Sequence, residues 1–174
     1  MNGNCHFVFG AAVGSMVALN MNTLSTILPN ITVSSETATL FVLGGLVGGI
    51  FPDIDNPSSH MGKLSAPLST AIGFINKLLG KVGANHRGIL HDPTVYIVGL
   101  ILSYIFCPAL VGFFVGCMSH IFLDMFNPKG VPCILFKRIS LGNINSGSTA
   151  SIIFTGFCIA IVVAIGFMIK FKLF

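Results

Sequence analysis

From Pro93 to Phe126 the chain is apolar almost without interruption, and Asp124 is the only Asp, Glu, Lys or Arg within it. As a single helix at 1.5 Å per residue this stretch would be roughly 50 Å long. A bilayer's hydrocarbon core is only about 30 Å thick. Pro108 lies near the middle, and a proline breaks or kinks a helix because it lacks an N–H and its ring meets the preceding turn. The stretch therefore reads as two spans, about Pro93–Phe106 and Ala109–Phe126. Three further apolar runs have spanning character: about Cys5–Leu28, weakened toward its end by Asn20 and Asn22, then Thr37–Phe51 and Ala150–Ile169.

Only 8% of the residues are charged and 53% are hydrophobic, whereas soluble domains carry roughly 25% charged residues. The runs are continuous and do not alternate in and out, which argues against a barrel. The sequence thus predicts an all-α integral membrane helical bundle of about five transmembrane helices, a single domain over residues 1–174. One further segment, "PLSTAIGFINKLLGKV" (67–82), places Leu68, Ala71, Ile72, Ile75, Leu78, Leu79 and Val82 on one helical stripe, with Lys77 and Lys81 on the other face. It reads as an amphipathic helix in the membrane interface, or as a helix that packs the same stripe on the bundle.

Basic residues orient the bundle. Lys63, Lys77, Lys81 and Arg87 lie between the second and third spans, and Lys129, Lys137 and Arg138 between the fourth and fifth. The loop 29–36 has no basic residue. By the positive-inside rule the N-terminus is cytoplasmic, with Lys170 and Lys172 as exceptions at the outer end. The first 28 residues lack the basic start of a signal peptide and are read as a retained span; a cleaved signal would remove His6. The net charge of +4 is spread over loops and does not point to nucleic acid. The five cysteines share no CxxC spacing and read as small apolar residues.

This topology gathers the polar residues at one face. The chain has five acidic residues, and four of them (Asp53, Asp55, Asp92 and Asp124) fall where spans meet the cytoplasmic side. His6 begins the first span there. His86 and His91 precede the third, and His120 lies one turn before Asp124 in the fourth. Ionisable groups at lipid depth are costly and are usually paired or functional. His120 and Asp124 share a helical face and are suited to ligate one ion. Imidazole with carboxylate suits Zn, Mn or Fe, as one ion or two. Asp92 precedes Pro93 and also reads as a helix N-cap; Asp55 opens the turn-forming string "DNP". His60 sits in a Ser/Pro/Gly loop and reads as solvent-facing. Arg87 is suited to hold a phosphate or carboxylate bidentately, or to act as a positive-inside anchor. Gly10/Gly14, Gly44/Gly48, Gly45/Gly49 and Gly112/Gly116 are pairs four apart that let helices approach closely.

The strings "FPDIDNPSS", "HRGILHDP" and "GCMSHIFLDMFNPKGVP" resemble the YdjM-like, LexA-regulated inner-membrane family, classed as metal-dependent hydrolases. The family pattern falls here on His6 and Gly10, on Pro52, Asp53 and Asp55, on His86, Arg87 and His91, on Ser119, His120 and Asp124, and on Gly130 and Pro132. Asp92 stands where the family usually has Ser or Thr, which exchanges one cap for another. Asn127 stands where it often has Thr, and "CILFKR" replaces an aromatic-rich end. The resemblance implies a bacterial inner-membrane hydrolase with metal ligands His6, Asp53, His86, His91, His120 and Asp124. In it, Asp55 serves as general base or as a further ligand or supporting residue, and Arg87 orients an anionic group. The expected substrate is amphiphilic or phosphorylated, and the expected partner is membrane lipid. A metal or proton transporter, or a structural or regulatory protein with a stapling metal, is the alternative. A serine hydrolase is disfavoured, since no Gly-x-Ser-x-Gly elbow is present.

Overall fold

The computed structural model describes residues 2–56, 59–78, 88–134 and 138–173, apart from the side chains of 60 and 76–78. The chain is an all-α membrane bundle. Its helices are α1 (Gly3–Leu19), α2 (Met21–Ile27), α3 (Ser35–Ile50), α4 (His60–Leu64), α5 (Ala66–Leu78), α6 (Pro93–Phe106), α7 (Val111–Met125) and α8 (Thr149–Lys170). The strands β1 (Val131–Pro132) and β2 (Arg138–Ile139) form one small antiparallel pair.

The centre is α3, because its glycines leave both of its faces open to other backbones. A Cβ built on Gly45 would lie 2.6 Å from the Gly10 carbonyl oxygen and 2.7 Å from Gly14 Cα of α1. One on Gly44 would lie 2.6 Å from the Phe113 nitrogen of α7. Gly45 and Gly49 thus serve α1, while Gly44 and Gly48 serve α7. Small residues four apart place two close neighbours on one helix. The contacts pair Gly49 with His6 and Phe41 with Gly14, so α1 runs antiparallel to α3; Phe41 meets Gly112 and Gly48 meets Gly116, so α7 runs parallel to it. α8 lies against α1, where Cys5, Phe9, Leu123 and Cys158 form one core cluster.

The predicted spans and the observed helices coincide closely at Pro93–Phe106, where Pro108 ends the run in a short 3-10 turn, Pro108–Leu110. The first run differs. It does not continue to Leu28 but bends by 71° between α1 and α2. Asn20 causes the break: its side-chain Nδ2 donates to the Met16 carbonyl at 2.9 Å, so the side chain competes for helix carbonyls. Beyond the bend, Met21 and Ile31 pack on Phe41 and Val111 and close the far end of the bundle. Three described helices are long and apolar enough to cross a membrane, or four if the bent pair is one span. The expected third span, α6, has 14 residues, about 21 Å, which is shorter than the hydrocarbon core.

Asp92 caps α6, accepting from the Thr94 N–H at 2.9 Å. Asp92→Ala is expected to lower stability by about 1 kcal/mol, the usual worth of such a cap. Asp92→Ser, which can still cap, should recover most of it in thermal unfolding of the detergent-solubilised protein.

Candidate metal centre

The helix packing brings the C-terminal ends of α3 and α7 and the N-terminal ends of α1, α6 and α8 to one end of the bundle. Here α3 tightens into a 3-10 turn, Phe51–Asp55. Two residues apart on such a turn, side chains point in different directions. Asp53 and Asp55 accordingly reach opposite edges of one imidazole. Asp53 Oδ1 is 3.5 Å from His91 Nε2, and Asp55 Oδ2 is 3.5 Å from His91 Nδ1. Asp55 Oδ2 also accepts from the Gly88 N–H at 3.3 Å, which pins the turn that carries His91. Tyr96, in the first turn of α6, donates its hydroxyl to the Leu90 carbonyl at 2.6 Å and holds that turn from the other side.

His120 comes from α7 and is fully buried. Its Nδ1 is 2.8 Å from the Gly49 carbonyl oxygen. A carbonyl only accepts, so Nδ1 carries the proton and Nε2 presents a lone pair. Pro52 has no N–H to offer the Gly49 carbonyl in the 3-10 pattern, and the missing Cβ of Gly49 lets α1 come close beside it. His120 Nε2 lies 3.7 Å from Asp53 Oδ1 and 3.9 Å from Asp124 Oδ2. His91 Nε2 lies 3.9 Å from the same Asp124 oxygen. Asp124 turns its other oxygen to His6 Nε2 at 3.4 Å, and the His6 ring stacks on His120 with centroids 3.6 Å apart.

Asp53, His91 and His120 form one group of donors within 4.8 Å of one another, and Asp124 Oδ2 lies 3.9 Å from Nε2 of each of the two histidines. Donors about 2.1 Å from a tetrahedral ion stand roughly 3.4 Å apart. The set fits a divalent transition metal on three further counts. His120 Nε2 makes no hydrogen bond among the described residues although it is buried, and an orphaned buried polar atom is costly. Its other nitrogen is held by a carbonyl, and His91 Nδ1 faces a carboxylate, which are the usual outer partners of metal-ligating histidines. The donors are nitrogen and oxygen with no thiolate, which suits Zn, Mn or Fe. His6, His120 and Asp124 form a second group of donors within 4.8 Å of one another, so Asp124 stands between two groups that share His120.

Burial disfavours a charged His91, but the neighbouring Asp53 and Asp55 outweigh it and the imidazole pKa is pushed up to about 9. In the metal-free protein this raised pKa contributes stability that is complete below the ordinary value of about 6.5. That contribution is lost as pH rises through about 9. A metal bound through His91 would have to displace that proton. Its apparent affinity is therefore expected to rise about tenfold per pH unit between these two values, by calorimetric titration of zinc or manganese.

The model of the YdjM inner membrane protein family matches residues 1–172. The chain belongs to the YdjM family. It is 32% identical over 97 residues to the inner membrane protein YdjM of Escherichia coli K12, and equally to that of Shigella flexneri. Each match takes in 49% of this chain and 43% of the relative, so the chain spans less than half the length of the curated relatives it matches. No solved structure matches. With its apolar helices, this makes the chain a bacterial inner-membrane protein.

Of the residues singled out in this YdjM-family sequence, the fold brings together His6, Asp53, Asp55, His91, His120 and Asp124. His86 and Arg87, and the side chain of His60, lie outside the described residues. Asp92 is at the edge as a cap. Two contributors escaped the sequence reading. Tyr96 is one of only two tyrosines, three residues after Pro93, and that scarcity was the available signal. Asn127, read only as a neutral variant of a family threonine, ties the loop after α7 together. Its Nδ2 donates to the Ile144 carbonyl at 3.2 Å and to Ser146 Oγ at 2.9 Å, and its Oδ1 accepts from the Lys129 N–H at 3.0 Å.

Proposed function

We propose that this chain is a membrane-bound metal-dependent hydrolase whose His/Asp centre opens at the cytoplasmic face, with the N-terminus inside, and that it cleaves a phosphoester or a lipid-linked group. The observation that carries the reading is the donor group Asp53, His91 and His120, with Asp124 Oδ2 3.9 Å from both imidazoles. These four would hold the ion. The chemistry such an ion would supply is a lowered pKa for a bound water and polarisation of the scissile group.

The chain's own residues divide the remaining work. His6 holds the Asp124 carboxylate through Oδ1, the oxygen that does not face His91, and with His120 and Asp124 it forms a second donor group that would suit a further ion. Asp55 faces His91 Nδ1 and the Gly88 N–H. That placement favours holding the His91 ring over acting as general base. Arg87 would hold an anionic group of the substrate bidentately. The Asp53 side chain is 21% exposed while those of His91, His120 and Asp124 are at most 3% exposed. Access on the Asp53 side supports a site open to substrate over a closed stapling one. The far end is closed by Met21, Ile31, Phe41 and Val111, which speaks against an ion path through the bilayer.

The test is to load detergent-purified protein with Zn, Mn or Fe and assay a panel of phosphoesters with and without chelator. Turnover that needs the ion supports the reading; a stoichiometrically loaded protein inert to the whole panel would return the centre to a stapling role. Asp55→Asn is expected to weaken metal affinity by about 10–100-fold while the protein stays folded, the usual cost of losing an outer partner. A general base would instead show as lost turnover with affinity unchanged.

A further inference from the structure

α5 faces the bundle with the opposite polarity from a soluble amphipathic helix. Between Ala66 and Ile75 its one buried residue is the polar Ser69, whereas Leu68, Phe74 and Ile75 are 49%, 61% and 48% exposed. Yet α5 is attached at the centre, for it packs on the turn Phe51–Asp55 that carries Asp53 and Asp55. The chain leading into it is tied there as well, since Ser59 donates its hydroxyl to the Asp53 carbonyl at 2.6 Å. The described part of α5 is 13 residues, about 20 Å, shorter than a hydrocarbon core. So an outward apolar stripe stands beside the least buried ligand of the candidate centre.

Its surroundings say what covers it. Leu64, just before α5, is 83% exposed, and Ile134, in the β1–β2 loop at the same end of the bundle, is 63% exposed. Lys63, Lys129 and Arg138 are exposed at this end too. All four aspartates here belong to the centre or to the cap of α6, and the remaining acid, Glu36, starts α3 at the other end. Apart from the partly exposed Asp53 of the centre, the described surface here is basic. An apolar stripe rimmed by lysine and arginine fits the boundary between headgroups and acyl chains of an anionic leaflet.

We propose that α5 lies in that boundary, holds the Asp53 side of the centre at headgroup depth, and that the substrate is a phosphate-bearing lipid that reaches the centre laterally from the bilayer. The substrate half rests on the metal-centre reading above; the position of α5 does not.

The chain contains no tryptophan, so Phe74→Trp places a single, selectively excited tryptophan on the stripe. The full-length variant is placed in liposomes of phosphatidylglycerol with acyl-brominated phosphatidylcholine. Blue-shifted emission quenched by the bromines and spared by aqueous iodide is the expected result. Water-like emission quenched only by iodide overturns the placement. For the substrate half, washed Mn2+-loaded protein in the same lipids is read by 31P relaxation of phosphatidylglycerol against added inorganic phosphate. Enhancement of the lipid signal is expected, falling several-fold in Phe74→Glu at unchanged manganese content. Enhancement of inorganic phosphate alone overturns the lipid assignment. Absence of bound manganese by paramagnetic resonance overturns the metal centre and the substrate with it, while the fluorescence result stands separately.

Discussion

Gly45→Leu is expected to prevent the bundle from closing. A Cβ at this position meets backbone on the facing helix, with the Gly10 carbonyl oxygen at 2.6 Å and Gly14 Cα at 2.7 Å. Backbone cannot rotate aside as a flexible side chain can, so α1 must move bodily. Overpacking a close-packed interior typically costs about 1–3 kcal/mol even where side chains can adjust. Here the cost should exceed about 3 kcal/mol, a large part of the roughly 5–15 kcal/mol that holds a native protein together. The displaced α1 would also carry His6 away from Asp124, now 3.4 Å apart. Gly156→Leu is the control, since nothing lies within 4 Å of a Cβ there. The measurement is the maleimide reaction rate of Cys5, Cys117 and Cys158, which are buried and unbridged, in a background where the exposed Cys107 and half-buried Cys133 are replaced by serine. Gly45→Leu should react as fast as denatured protein, and Gly156→Leu should react at the wild-type rate. Slow labelling of Gly45→Leu would mean that glycine packing is not what sets the α1–α3 spacing.

The same glycines show how far the sequence could be read. Their four-residue spacing was visible, and so was the end of the bundle to which His6, Asp53, His91, His120 and Asp124 would be brought. Helix limits at Pro93, Phe106 and near Thr149 followed from proline and from hydrophobic run length, which are local causes. The bend at Asn20 did not follow, because an asparagine can face solvent, a partner helix or its own carbonyls, and only the packed structure selects the last. Nor could the sequence divide labour between Asp53 and Asp55. Which edge of His91 each meets depends on the 3-10 tightening after Ile50 and on the Gly88 turn docking onto Asp55. The Gly49 carbonyl was equally hidden, since backbone groups leave no mark on composition. His120 stands out in the sequence by its one-turn spacing to Asp124, yet what gives it a defined tautomer is a residue 71 positions away.

That carbonyl supplies a way to separate ligation from packing at His120. His120→Ala is expected to abolish metal retention, but it also removes a fully buried ring and its hydrogen bond to Gly49. Large-to-small changes at such sites cost about 2–5 kcal/mol on their own. His120→Asn keeps a donor close to the position of Nδ1 and removes the nitrogen that faces Asp53 and Asp124, 3.7 and 3.9 Å away. Asparagine can therefore hold α7 against α3 without supplying the ligand. Its expected behaviour is wild-type thiol protection at the buried Cys117, with metal affinity at least about 100-fold lower, beyond what losing an outer partner costs. Turnover should fall with metal occupancy and should not return at saturating phosphoester. Wild-type metal content in a folded His120→Asn protein would remove His120 from the ligand set. The donors left near one another would then be His91 with Asp53 and Asp124, and His6 with Asp124.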